Sequence, residues 1–125
     1  MNLKKHLRGI TLALVIFPLV GLALPPSFSH PDTIVEIPEG QGVGTAVFQT
    51  SAIDPDGTQI TFTVNPESHF TIVSGSNTVT VRRSLDYETE TEHTVTIIAT
   101  DAAGETNSST LTIKVTDDTE TLTNP

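Results

Sequence analysis

The sequence predicts an all-β sandwich of seven short strands, on the basis of three observations. After the first 24 residues, apolar and polar residues alternate with a period of two, as they do in strands that bury one face. The alternating segments are rich in Thr, Val and Ile, and Gly, Pro, Asp and Asn separate them at intervals of roughly 8–12 residues. No segment of this region has the 3.6-residue period of an amphipathic helix.

The first three predicted strands are bounded by proline and glycine. Thr33–Ile37 ends at a Pro-Glu-Gly turn, and Thr45–Ser51 begins after a glycine-rich segment. Gln59–Val64 follows the turn Asp54–Gly57 and has an apolar residue at every second position. Glycine and proline set the backbone angles of tight turns, so they mark the ends of these strands.

The last four predicted strands show the alternation more clearly. His69–Val73 and Thr78–Arg83 are separated by a Ser-Gly-Ser-Asn turn. His93–Thr100 carries apolar residues at alternate positions, and Ser108–Thr116 shows the most regular alternation in the chain. Seven strands at this spacing are typical of a β-sandwich.

Residues 1–29 have the organisation of a secretory signal peptide. Three basic residues precede the apolar segment Ile10–Leu24, and small residues follow it. Cleavage is expected after Ala23 or after Ser29. An uncleaved membrane anchor is the alternative, but an apolar segment of 15 residues is shorter than the ~20 residues that a spanning helix needs.

The remaining chain is strongly acidic. Residues 30–117 are predicted to form one domain, and residues 118–125 a polar tail or linker remnant. Without residues 1–23 there are three basic residues against 15 acidic ones, a formal charge of −12. This charge disfavours nucleic acid and anionic membrane surfaces as partners and favours cations. The chain has no cysteine, so stability must come from packing or from metal binding.

The acidic residues cluster around Ser84–Glu92. Asp86 and Glu88 are two residues apart, so in an extended backbone their carboxylates point to the same side. Such a pair can share a proton in acid–base catalysis or hold a hard cation. Strand directions place the Asp54/Asp56 turn and Asp101 at one end of the sandwich, here called the top pole. Glu39, Asp86, Glu88 and the acids of the C-terminal tail then lie at the other end, here called the base pole.

Several short motifs of this chain resemble those of the cadherin repeat, in the same order and spacing. They are Pro38-Glu39-Gly40 followed by Gly44-Thr45, Ala52-Ile53-Asp54-Pro55-Asp56, Phe70-Thr71-Ile72, Leu85-Asp86-Tyr87-Glu88, Ala99-Thr100-Asp101 and Val115-Thr116-Asp117. The resemblance covers about residues 32–120. It implies a seven-stranded antiparallel Greek-key β-sandwich of the immunoglobulin-like type.

In cadherins, calcium is held between successive repeats, and the resemblance assigns ligands accordingly. The base ligands would be Glu39, Asp86, Glu88, Asp118 and Glu120, and the top ligands would be Asp54, Asp56 and Asp101. The linker departs from the family pattern, since Asp117–Thr121 reads Asp-Asp-Thr-Glu-Thr instead of Asp-x-Asn-Asp-Asn. This sequence also contains no second repeat, so each pole is half a site and weak calcium binding is expected. A solvated acidic surface without calcium is the alternative.

The sequence therefore predicts a secreted, calcium-binding module for calcium-dependent, including homophilic, cell adhesion or protein–protein interaction. Its partner would be another cadherin-like repeat or a cell-surface or matrix protein, and a weak homodimer is compatible with this. The alternatives are a structural, matrix or carbohydrate-associated module with little calcium binding, and a fragment of a longer membrane protein. No enzyme is expected.

Two further features of the sequence concern single residue types. Asn107 begins an N-glycosylation sequon. The three histidines after the leader do not share metal-ligand spacing.

Overall fold

The computed structural model describes residues 23–118, which form strands and turns without a helix. The strands of this region are β1 (Ser27–Phe28), β2 (Thr33–Pro38), β3 (Ala46–Gln49), β4 (Ala52–Ile53), β5 (Thr61–Asn65), β6 (Phe70–Ile72), β7 (Thr78–Val81), β8 (Glu92–Thr100) and β9 (Thr106–Thr116). One sheet has the order β2-β9-β8-β5, a second has the order β3-β7-β6, and β1 pairs with β4. The prediction of an all-β sandwich is confirmed.

The alternation of buried and exposed residues along β8 and β9 determines which face of the larger sheet forms the core. In β8 every second residue from His93 to Ala99 is buried, and in β9 the same holds from Ser109 to Val115. The two strands pair antiparallel over nine positions, from Glu92↔Lys114 to Thr100↔Thr106. One face of the larger sheet is therefore apolar and packs against the smaller sheet, as the period-two pattern predicts.

Strand number and direction differ from the prediction in two places. The predicted strand Thr45–Ser51 corresponds to β3 alone, and β1 and β4, which pair with each other, are two short strands that the sequence did not predict. The prediction of an antiparallel sandwich holds for all pairs except β2, which runs parallel to β9 from Thr33↔Leu111 to Pro38↔Thr116. Alternation identifies a strand and its buried face, but it carries no information about the neighbouring strand.

The folded unit begins before residue 30, the predicted boundary. Pro26 is fully buried, and Phe28 in β1 packs against the core. The Asn107 side-chain amide donates a hydrogen bond to the Pro26 carbonyl at 2.9 Å. These contacts show that residues 26–28 belong to the domain, and cleavage after Ser29 would remove β1.

The core lies between the two sheets. Its buried apolar side chains are Ile37, Val64, Phe70, Ile72, Val79, Val81, Leu85, Val95, Ile97, Ala99, Leu111, Ile113 and Val115. Phe70 is the largest of these, with no exposed surface, and Tyr87 covers the core from the β7–β8 connection. Between residues 23 and 118 no helix has the length and hydropathy to cross a membrane.

Candidate metal sites at the two poles

The base pole brings together Glu39, Asp86 and Glu88. Glu39 directly follows β2, and the other two lie in the connection between β7 and β8. One carboxylate oxygen from each residue lies within 4.8 Å of the others. Glu39 is half-buried, whereas Asp86 and Glu88 are exposed. The pole is therefore a carboxylate cluster that opens to solvent.

Hydrogen bonds hold Glu39 at the centre of the base pole. Its Oε2 accepts a bond from the backbone N–H of Tyr87 at 2.9 Å, and its Oε1 accepts one from the N–H of Asp118 at 3.2 Å. A Cβ at Gly40 would lie 2.8 Å from Asp118 Oδ2. Because glycine has no Cβ, Asp118 can lie this close to the base pole. The strand directions in the sequence predicted this acid at the same pole. Glu120 lies outside the described residues.

Asp86 fixes the turn that carries Glu88. Its Oδ1 accepts a hydrogen bond from the N–H of Glu88 at 3.1 Å, and its Oδ2 accepts one from Thr89 Oγ1 at 2.7 Å. An aspartate that bonds to the backbone two residues ahead forms an Asx-turn. This turn holds the Asp86 carboxylate and the backbone of Glu88 in place, and each Asp86 oxygen keeps a further lone pair for a cation.

The top pole brings together Asp54, Asp56 and Asp101, again with one oxygen of each within 4.8 Å of the others. Asp54 follows β4, and Asp101 follows β8. Asp54 accepts hydrogen bonds from the side chain of Thr58 and from the N–H groups of Asp56 and Thr58, at 3.1 and 2.7 Å. The hydrogen bond from the Thr58 hydroxyl is the main cause of the lowered pKa of Asp54. Burial acts to raise this pKa, and the hydrogen bonds from the two N–H groups lower it further.

The other two top-pole acids have different partners. Asp101 Oδ1 accepts hydrogen bonds from the N–H groups of Ala103 and Glu105 at 2.9 and 2.8 Å. Asp56 Oδ2 accepts one from the backbone nitrogen of Leu24 at 2.8 Å. Asp54 and Asp101 thus also stabilise their own loops, and Asp56 holds the start of the folded segment.

The two poles are too far apart to share an ion. Asp101 lies directly after β8, whereas Asp86 and Glu88 of the base pole lie in the connection that leads into β8. A strand of nine residues spans about 30 Å at ~3.3 Å per residue. Within residues 23–118 no arginine or lysine forms an ion pair with the six clustered acids. No basic side chain of this region therefore offsets the mutual repulsion of these acids.

Comparison with known proteins identifies the family. A cadherin domain model matches residues 33–116. The chain belongs to the cadherin family. It is 41% identical to human Cadherin-23 over 80 residues, which is 61% of this chain and 2% of that protein. It is 31% identical to Cadherin-99C of Drosophila melanogaster over 96 residues, 74% of this chain and 6% of the relative.

Solved structures agree with this assignment. Drosophila N-cadherin EC1-3 matches with a TM-score of 0.71 and 27% identity, over 77% of this chain and 35% of that one. Mouse Cadherin-23 EC22-24 matches with a TM-score of 0.66 and 26% identity, over 75% and 31% of the two chains. The chain spans only a small part of the length of the relatives it matches.

The acids of this cadherin domain fit part of a calcium site. Ca²⁺ takes six to eight oxygen ligands, and three carboxylates supply three to six of them. The base pole fits best, because its three acids are partly or largely exposed and Asp118 lies beside them. The assignment of these acids as calcium ligands stays a prediction. Asn107, the predicted glycosylation residue, is exposed, and its glycosylation also stays a prediction.

Sequence reasoning missed a third cluster in this domain. His69 and His93 are 24 positions apart in the sequence, yet their ring centroids lie 4.7 Å apart. Burial is the main cause of the lowered pKa of His93. The negative charge of Glu90 acts to raise this pKa, and the charge of His69 lowers it further. One signal was present, because His93 is in phase with the buried residues Val95, Ile97 and Ala99 of β8. Its inward position could have been predicted, but the proximity of His69 could not.

Proposed function

We propose that this chain is an extracellular calcium-binding module that acts in adhesion or protein–protein interaction. The observation that carries the proposal is the base pole, where Glu39, Asp86 and Glu88 converge without a basic partner among the described residues. A cation is the natural ligand for such a cluster, and an all-oxygen donor set favours Ca²⁺ over softer metals. Membership of the cadherin family supports the same ligand.

Calcium would act by completing a contact between domains. Each pole supplies only part of the ligands, so a second cadherin-like repeat, or a cell-surface or matrix protein, would supply the rest. Calcium then neutralises the clustered acids of both partners and fixes their relative orientation. Two copies of this chain could also associate as a weak homodimer.

The base pole is expected to bind calcium more tightly than the top pole. At the top, Asp54 and Asp101 are buried, whereas the base pole offers two exposed carboxylates, those of Asp86 and Glu88. Asp56 is bonded to the nitrogen of Leu24. If the leader is cleaved after Ala23, this nitrogen becomes a charged α-ammonium that competes with Ca²⁺ for the same carboxylate. No comparable competitor lies at the base pole within residues 23–118.

The test is a melting experiment on the exported chain, with calcium at 10 mM and then with chelator, together with analytical sedimentation. Isolated extracellular modules bind calcium with a Kd of ~10⁻⁴–10⁻³ M. Ten millimolar calcium is then roughly 10–100 times Kd and stabilises the folded state by about 1.4–2.7 kcal/mol. For a domain of this size we expect the Tm to rise by about 5 °C or more. A calcium-dependent increase in mass would support self-association.

An absence of any shift at 10 mM calcium would contradict the proposal. The second candidate function would then apply, namely a structural, matrix or carbohydrate-associated module. The hydrogen bonds that Asp54 and Asp101 accept at the top pole, and Glu39 and Asp86 at the base pole, favour this candidate, because these acids already stabilise their own loops. Binding to glycans in the presence of chelator would identify it.

The two predicted cleavage positions of the leader differ in what they would remove from the fold, and the fold favours one of them. We expect the exported chain to begin at Leu24, because cleavage after Ser29 would remove the fully buried Pro26 and the core-packed Phe28. Mass spectrometry of the intact exported chain measures the start directly. A mass that corresponds to a start at His30, or to a retained leader, would contradict this prediction.

A further inference from the structure

A cluster of different chemistry lies outside both poles. It consists of His69, Glu90 and His93, and one ligand atom of each lies within 4.8 Å of the others. His69 directly precedes β6 of the smaller sheet, and His93 is the second residue of β8 in the larger sheet. Glu90 lies in the connection that leads into β8. The cluster therefore joins side chains from both layers of the sandwich.

The distances within the cluster are close to those of a tetrahedral metal site. His93 Nδ1 lies 3.3 Å from Glu90 Oε2. Ligands at ~2.0–2.1 Å from a tetrahedral ion are separated by about 3.3 Å, so this pair already has the required spacing. The ring of His69 lies beside that of His93, and one of its nitrogens lies within 4.8 Å of the other two ligand atoms.

Part of the cluster is fixed and part can adjust. His93 is buried, and its ring packs edge-on against Phe70 with 5.4 Å between the centroids. The backbone of His69 is held at the end of β7, because its carbonyl accepts hydrogen bonds from the N–H groups of Arg82 and Arg83 at 2.7 and 3.3 Å. The Glu90 side chain is 53% exposed. The site thus has a rigid inner ligand and an opening toward solvent.

We propose that His69, Glu90 and His93 bind a divalent transition-metal ion, Zn²⁺ in the first instance. Two imidazoles and one carboxylate form a donor set that zinc accepts, with a fourth position open to water or to a partner's ligand. Calcium is not the expected ion, because it takes six to eight oxygen ligands. The site is independent of the calcium proposal, since none of its three ligands belongs to either pole.

A metal at this position would cross-link the two sheets. The chain has no cysteine and therefore no disulfide that could do so. An ion bound only by the folded state stabilises that state in proportion to the logarithm of its concentration over Kd. Zinc should therefore raise the Tm, and the open fourth position would face the solvent beside Glu90.

The experiment uses the exported chain in 10 mM calcium, so that the acidic poles are occupied while Zn²⁺ is added. Titration calorimetry with Zn²⁺ should give one ion per chain, and Co²⁺ should give the visible absorption of a four-coordinate nitrogen and oxygen site. The variants His69→Asn and Glu90→Gln should each weaken zinc binding at least tenfold. Glu92→Gln, which removes an exposed acid two residues away, is the matched control and should leave binding unchanged.

Two results would overturn the proposal. One is the absence of binding at micromolar Zn²⁺. The other is binding that His69→Asn and Glu90→Gln leave intact, because the ion would then lie elsewhere, for example at a pole. His93→Asn is not used, since it changes a buried residue; the melting temperature of each variant in chelator verifies its fold. Neither negative result would change the expected calcium-dependent rise in Tm. The zinc proposal can therefore fail while the calcium proposal stands, and the reverse is also true.

Discussion

Replacement of Phe70 by alanine is expected to lower the free energy of unfolding by about 3–5 kcal/mol. Phe70 has no exposed surface and lies in β6 opposite Val81. Its ring also contacts His93. Truncation to alanine removes most of a large buried side chain and leaves a cavity between the two sheets, which the paired strands cannot close. Urea denaturation in the presence of chelator measures the loss without a contribution from metal.

Two further variants keep this prediction testable if Phe70→Ala does not fold. Phe70→Leu retains most of the volume and should cost less than Phe70→Ala. Val73→Ala alters a side chain that is 63% exposed just beyond β6, and should change stability by less than about 0.5 kcal/mol. If Phe70→Ala costs no more than Val73→Ala, the position of Phe70 at the centre of the core is wrong.

The variant Glu88→Gln is expected to abolish most of the calcium-dependent rise in Tm. Glu88 contributes an exposed carboxylate to the base pole, and none of the hydrogen bonds found among residues 23–118 involves that carboxylate. Glutamine keeps the shape but removes the negative charge, so the fold in chelator should be unaffected. A rise of about 5 °C or more in the parent chain should fall to less than half.

Glutamates 88, 90 and 92 form a matched series for this measurement. Glu88 lies in the base pole, Glu90 lies in the histidine cluster, and Glu92 lies in neither. We expect Glu88→Gln to reduce the response to calcium only, and Glu90→Gln to reduce the response to zinc only. Glu92→Gln should retain both. If all three variants lower the calcium response equally, the effect comes from the net charge and the base pole is not a calcium site.

The sequence determined the strands other than β1 and β4, and their buried faces. Alternation along Ser108–Thr116 was enough to locate the core-facing residues of β9, because side chains in a strand point to opposite faces with a strict period of two. The acids at strand ends could be grouped into two poles in the same way, since strand direction alone decides the end at which a turn lies. The motifs around Glu39, Asp54, Asp86 and Asp101 were sufficient to suggest the cadherin family.

Tertiary structure alone decided which strands are neighbours. The parallel pairing of β2 with β9, the pairing of β1 with β4, and the packing of Pro26 and Phe28 all depend on contacts between distant residues. The proximity of His69 and His93 arises in the same way, because β6 and β8 lie in different sheets. Periodicity is a local property of the chain, whereas the order of strands in a sandwich is set by how the sheets pack, and that packing created the third cluster.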